Sequence, residues 1–99
     1  MVKHEQNVDR FNKLTRQILD TLNESFPKSA ILNTNTFNLE MGKFDGPNRL
    51  LSNDEVFLGA TLDWLAGEGF IRLVSSGIYV ITLKGLELLG DVPESLQRE

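Results

Sequence analysis

The stretch from Ser52 to Leu89 leaves this chain least freedom, because every boundary in it carries its own chemical signal. Ser52-Asn53-Asp54-Glu55 has the spacing of a capping box, in which the Ser52 hydroxyl accepts from the Glu55 amide and the Glu55 carboxylate accepts from the Ser52 amide. A helix is therefore expected over 53–67, with Leu58, Leu62, Leu65 and Ala66 inward. Gly67-Glu68-Gly69 ends it, since glycine takes the left-handed conformation past a helix end without steric cost. Phe70-Ile71-Arg72-Leu73-Val74 and Ile78-Tyr79-Val80-Ile81-Thr82 are β-branched and aromatic runs joined through Ser75-Ser76-Gly77, which predicts a hairpin over 70–82. Thr82 can cap a last helix over 83–89, closed by Gly90.

Upstream, Val8, Phe11, Leu14, Ile18, Leu22 and Phe26 recur at steps of three and four, so a helix with one apolar stripe is expected over 8–26, ending at Pro27. Asp9 with Lys13 and Arg16 with Asp20 fall at the i,i+4 spacing of supporting ion pairs on its solvated face. Residues 1–7 read as a frayed polar lead-in. Ser29-Ala30-Ile31-Leu32 is a short apolar segment. Residues 33–51 read as a turn, a short helix near 34–39, and a loop from Met41 to Asn48 full of helix breakers. The tail over 91–99 permits a short helix with Pro93 in its first turn.

Two motifs carry a likeness to a known fold. Leu62-x-x-Leu65-x-x-Glu68-Gly69-Phe70-Ile71 turns a helix straight into a strand, and Val80-x-Thr82-x-Lys84-Gly85-x-x-Leu88-Leu89 turns a strand into a helix. In that order the chain resembles a winged helix-turn-helix domain. The resemblance implies one α+β domain, mostly α, with three or four helices and a two- to three-stranded antiparallel wing sheet that includes segment 29–32. It also implies a second helix between residues 33 and 51, where the residues themselves read mainly as a loop. Winged-helix domains serve DNA binding and protein contacts alike, so the likeness leaves both open.

Composition narrows the classes. Ninety-nine residues with 40% hydrophobic content suit a single globular domain. No apolar run approaches the roughly 20 residues of a membrane helix, and the first seven residues hold no apolar core of an export signal. The chain has no cysteine, which excludes disulfides, thiolate metal sites and thiol nucleophiles and suggests a cytoplasmic protein. His4, the sole histidine, sits in the lead-in and reads as a surface residue. Asp54-Glu55 resembles a pair of acids, but capping and the helix dipole account for it. Gly42-x-x-x-Gly46-Pro47 lacks the Gly-Lys-Ser/Thr ending of a phosphate loop. With no nucleophile, base and orienting partner to assemble, no enzyme and no cofactor are expected.

Charge then separates the two roles the likeness allows. Residues 1–49 carry seven basic and six acidic side chains, whereas residues 50–99 carry three basic and eight acidic, so the half expected to meet DNA is the acidic one. Affinity for nucleic acid rests on neutralising phosphates with lysine and arginine. The outward face of the 53–67 helix holds Asn53, Val56, Gly59, Ala60, Asp63 and Gly67, which include no cation, while base reading usually asks for several of Arg, Lys, Asn or Gln there. Small residues on that face let another backbone come close. Phe57 and Trp64 flank it: either both pack under the first helix or the 42–48 loop, or one of them, with Gly59 and Ala60, forms an apolar contact surface for a partner or a second copy of the chain.

The leading expectation is a module acting through protein contacts, by self-association as a homodimer or by docking on a protein partner in a regulatory assembly. Its candidate contact residues are Val56, Phe57, Gly59, Ala60, Asp63, Trp64 and Gly67. The alternative is a DNA-binding transcription regulator contacting the backbone through Lys43, Arg49, Arg72 and Lys84.

Overall fold

The computed structural model describes residues 2–97. Helix α1 (Val2–Ser25) is followed by strand β1 (Ala30–Ile31), a series of turns, the short strands β2 (Lys43–Asp45) and β3 (Asn48–Leu50), and helix α2 (Asn53–Gly67). Strands β4 (Ile71–Ser75) and β5 (Ile78–Ile81), helix α3 (Leu83–Leu89) and a single 3₁₀ turn, Glu94–Leu96, complete the chain. This is a small α+β fold.

Each end of α2 and α3 is fixed by the chemistry read in the sequence. The Glu55 amide donates to the Ser52 hydroxyl at 3.0 Å and the Ser52 amide to the Glu55 carboxylate at 3.1 Å, a complete capping box. Gly69 at φ 86° turns the chain from α2 into β4. Thr82 Oγ1 accepts from the Gly85 amide to start α3, and Gly90 at φ 75° stops it.

Strand β5 lies at the centre of a three-stranded antiparallel sheet of order β1-β5-β4. Ala30 stands opposite Tyr79, and Ile71 opposite Ile81, with a register shift between Leu73 and Ser75. Ile71, Tyr79 and Ile81 project from one face onto Leu14, Ile18, Leu19 and Leu22 of α1, Leu58, Leu62 and Leu65 of α2, and Leu86 of α3. That cluster is the core, and burying such side chains contributes about 1.5–3 kcal/mol each.

Several boundaries differ from the sequence reading. Helix α1 begins at Val2, so residues 2–7 are helical rather than frayed. Nothing in Val2–Asn7 breaks a helix, and Lys3, Glu5 and Gln6 are good helix formers. Met1 of the expected lead-in and the last two residues of the expected tail lie outside the described residues. At the other end α1 stops at Ser25, because the residue before a proline is disfavoured in the α region, and Phe26 packs on the core from outside the helix. Val8, placed on the apolar stripe, is 42% exposed, while Leu19, off that stripe, is buried. Sheet and α3 cover the second half of α1 on more than one side, and its first half reaches past them.

Segment 33–51 holds the largest difference. No helix forms among its residues. Asn33 Oδ1 accepts from the Thr36 amide, the Thr36 hydroxyl donates to the Ile31 carbonyl, and Leu39 N donates to Thr34 O, so side chains satisfy the backbone locally and compete with a helix. The expected loop is instead a second hairpin, with Lys43 opposite Leu50 and Asp45 opposite Asn48. Gly46, at φ 62°, supplies the positive φ that its two-residue connection needs.

Candidate functional site

The residues proposed from sequence for protein contact all lie on α2. Val56, Gly59, Ala60, Asp63, Trp64 and Gly67 are exposed, and Phe57 is half-buried. The inward set is Leu58, Leu62 and Leu65 with the partly covered Ala66, as the helical spacing requires. Thr61 is also buried, its hydroxyl donating to the Phe57 carbonyl at 2.8 Å.

Trp64 does not sink into the core. It keeps 51% of its surface in solvent, meets the Phe11 ring edge-on at 5.4 Å between centroids, and stacks on Phe70 at 6.3 Å. These two aromatics hold the indole upright on the surface, one from α1 and one from the turn before β4. Phe57 sits differently: the Arg10 guanidinium covers its ring at 4.4 Å. Phe57 therefore lies partly beneath α1, while Trp64 stands outward.

Between α1 and α2 runs an apolar groove of about 560 Å³, lined by Val8, Phe11, Phe57, Ala60, Thr61 and Trp64 with Asn7 at its end. Sequence reasoning found the α2 wall and missed the α1 wall. The signal was available, since Val8 and Phe11 continue the α1 stripe beyond the last residue that the sheet and α3 cover.

The first turn of α2 is an electrostatic anchor. Asp54 binds the Arg10 guanidinium and accepts from the Glu40 amide at 3.0 Å. Glu55 binds the Arg49 guanidinium and accepts from the Gly42 and Ser52 amides. The Ser52 amide above all, with Arg49 next, holds the Glu55 carboxyl below its ordinary value, against a smaller upward push from burial. These acids tie α1 and the β2–β3 hairpin to α2, which is structural work.

The four cations named for DNA contact do not act as a set. Arg49 is committed to Glu55. Lys84 donates to the Glu68 carbonyl at 2.7 Å and lies 4.6 Å from the centre of the Phe70 ring, where its charge also suits the C-terminal end of α2. Lys43 on β2 and Arg72 on β4 are exposed and, among the described residues, form no ion pair. Asp63 likewise forms none, and its charge helps to raise the Tyr79 hydroxyl above its ordinary value, a shift caused chiefly by burial.

Among the described residues no cluster of His, Asp and Glu could hold a metal ion, and no helix is long and apolar enough to cross a membrane. Comparison with protein-family models, with curated proteins and with solved structures returns no match to this chain.

Proposed function

We propose that this chain is a non-enzymatic winged-helix module of the cytoplasm that works through protein contacts, by self-association or by docking in a regulatory assembly. The outward face of α2 is its contact surface. One observation carries the reading: a helix without a cation presents a half-exposed tryptophan beside an apolar groove. Exposed aromatics next to desolvated pockets are the usual anchors of protein interfaces. The small side chains of Gly59 and Ala60 let a partner backbone approach that anchor. The sheet order, with β5 between β1 and β4, and the direct turn from α2 into β4 support the winged-helix part of the reading, in which turns and the β2–β3 hairpin stand where the second helix of such a domain is expected.

The competing reading, a DNA-binding transcription regulator, rests on the exposed Lys43 and Arg72. Fluorescence anisotropy of a labelled random duplex at low salt separates the two. The protein-contact reading expects no saturable binding. Binding that falls steeply with added salt and weakens in Arg72→Ala would overturn it.

A further inference from the structure

We infer that the cavity enclosed by α1, the 34–39 turn and the start of α2 binds a small organic carboxylate with a short aliphatic body. The cavity measures about 310 Å³ and shares only Phe57 with the apolar groove, so the site stands apart from the protein-contact surface. Small-ligand sites combine an apolar wall with a few convergent polar groups, and three features of this cavity supply both.

The first is charge. Arg10 and Asp54 both line the cavity, but they bind each other, and the second Asp54 oxygen accepts from the Glu40 amide at 3.0 Å. Both oxygens of that carboxylate are thus occupied and its charge is balanced. Lys13 is the remaining charge on the wall. Among the described residues it forms no ion pair, not even with Asp9, four residues before it on α1. The cavity therefore presents one uncompensated positive charge, which complements a monoanion.

The second is the supply of donors. Gln17 lies one turn beyond Lys13 on the same face of α1, and Asn38 lines the cavity from the 34–39 turn. Among the described residues neither side chain makes a hydrogen bond. A carboxylate accepts several hydrogen bonds, and an ammonium with two amides can provide them. Asn38 is also fixed in advance: its own amide donates to Asn35 O at 3.3 Å and that of Leu39 to Thr34 O at 2.8 Å. These bonds hold it at φ 55°, a left-handed position that asparagine tolerates. A donor carried on fixed backbone costs little ordering on binding.

The third is the apolar wall. Leu14 and Phe37 are buried, and Leu39 and Phe57 are half-buried along the cavity. The Arg10 guanidinium covers the face of the Phe57 ring at 4.4 Å, which favours aliphatic contact over stacking.

Titration of the intact chain with isocaproate, followed by amide chemical shifts, tests the inference; isocaproamide and acetate serve as comparison ligands. The expected result is saturable binding, with the largest shifts at Lys13, Gln17, Asn38 and Leu39. Isocaproamide keeps the body and loses the charge, and acetate keeps the charge and loses the body, so each should bind roughly tenfold more weakly or worse. Lys13→Gln should weaken isocaproate by a similar roughly tenfold factor, with circular dichroism unchanged because the side chain is exposed. Asn38→Gly, which keeps the left-handed turn and removes the amide, should weaken it less.

Shifts that never saturate would overturn the inference, as would equal binding of isocaproamide or an affinity indifferent to Lys13→Gln. Saturation with shifts gathered outside the cavity would also contradict it.

Discussion

The Glu55 carboxylate binds the Arg49 guanidinium through one oxygen and closes the Ser52 cap with the other, so one side chain joins the β2–β3 hairpin to the start of α2. Because these partners hold its pKa below the ordinary 4.5, the unfolded chain takes up the proton first as pH falls. The stabilisation is fully present above the ordinary carboxyl range and is lost as pH drops through the lowered folded value. Urea denaturation between neutral pH and about pH 3 should show this acid loss, with Arg49→Ala reducing it and Glu55→Gln removing the Glu55 share. An unchanged acid limb in Glu55→Gln would remove the residue from this role.

Two helical glycines should respond in opposite directions to alanine. Gly59 faces open space, so Gly59→Ala should stabilise the dilute chain by about 0.5–1 kcal/mol through helix propensity. At Gly85 an added Cβ would lie 2.3 Å from the Phe70 carbonyl oxygen and 2.7 Å from Ile81 Cγ1, with backbone on one side. Gly85→Ala should therefore cost about 2 kcal/mol or more, as overpacking does. Equal effects in urea denaturation would mean that α3 does not rest on Phe70 this closely.

The Thr15 hydroxyl, beside the groove between α1 and α3, is buried without a hydrogen-bond partner among the described residues. Leaving such a group unpaired costs roughly 1–3 kcal/mol, so Thr15→Val should raise stability by about 1 kcal/mol. A loss on thermal denaturation would show that the hydroxyl is satisfied.

Tyr79 is buried in the core, and burial first, then Asp63, raises its pKa above 10.0. Below pH 10 the hydroxyl is neutral in both states and nothing changes. Above it the unfolded chain ionises first, so stability falls as pH climbs toward the raised folded value. Tyr79→Phe should abolish that alkaline slope, and Asp63→Asn should reduce it slightly. A slope that survives Tyr79→Phe would assign it elsewhere.

The legible parts of this fold are those where a side chain closes its own local structure. Ser52 with Glu55 and Thr82 with Gly85 need no distant partner, and α2 and α3 lie where their caps place them. Segment 33–51 resisted reading for the opposite reason. The triplets Lys43–Asp45 and Asn48–Leu50 are too short to show alternation, and their hairpin is anchored through Glu55 in the first turn of α2, a residue whose capping role already accounts for it in the sequence. On the contact face, helical periodicity placed the exposed side of α2 but not the aromatic contacts of Trp64, because Phe11 and Phe70 reach it from other elements. Nor could a count of cations show that Arg49 and Lys84 are taken up by internal partners.

Amide and indole chemical shifts followed through a dilution series test most directly whether the outward face of α2 grips polypeptide. The account predicts concentration-dependent shifts confined to Val8, Phe11, Val56, Ala60, Asp63 and the Trp64 indole, with Arg72 and Lys43 still. Shifts that spare α2 and gather instead around Lys43 and Arg72 would contradict it.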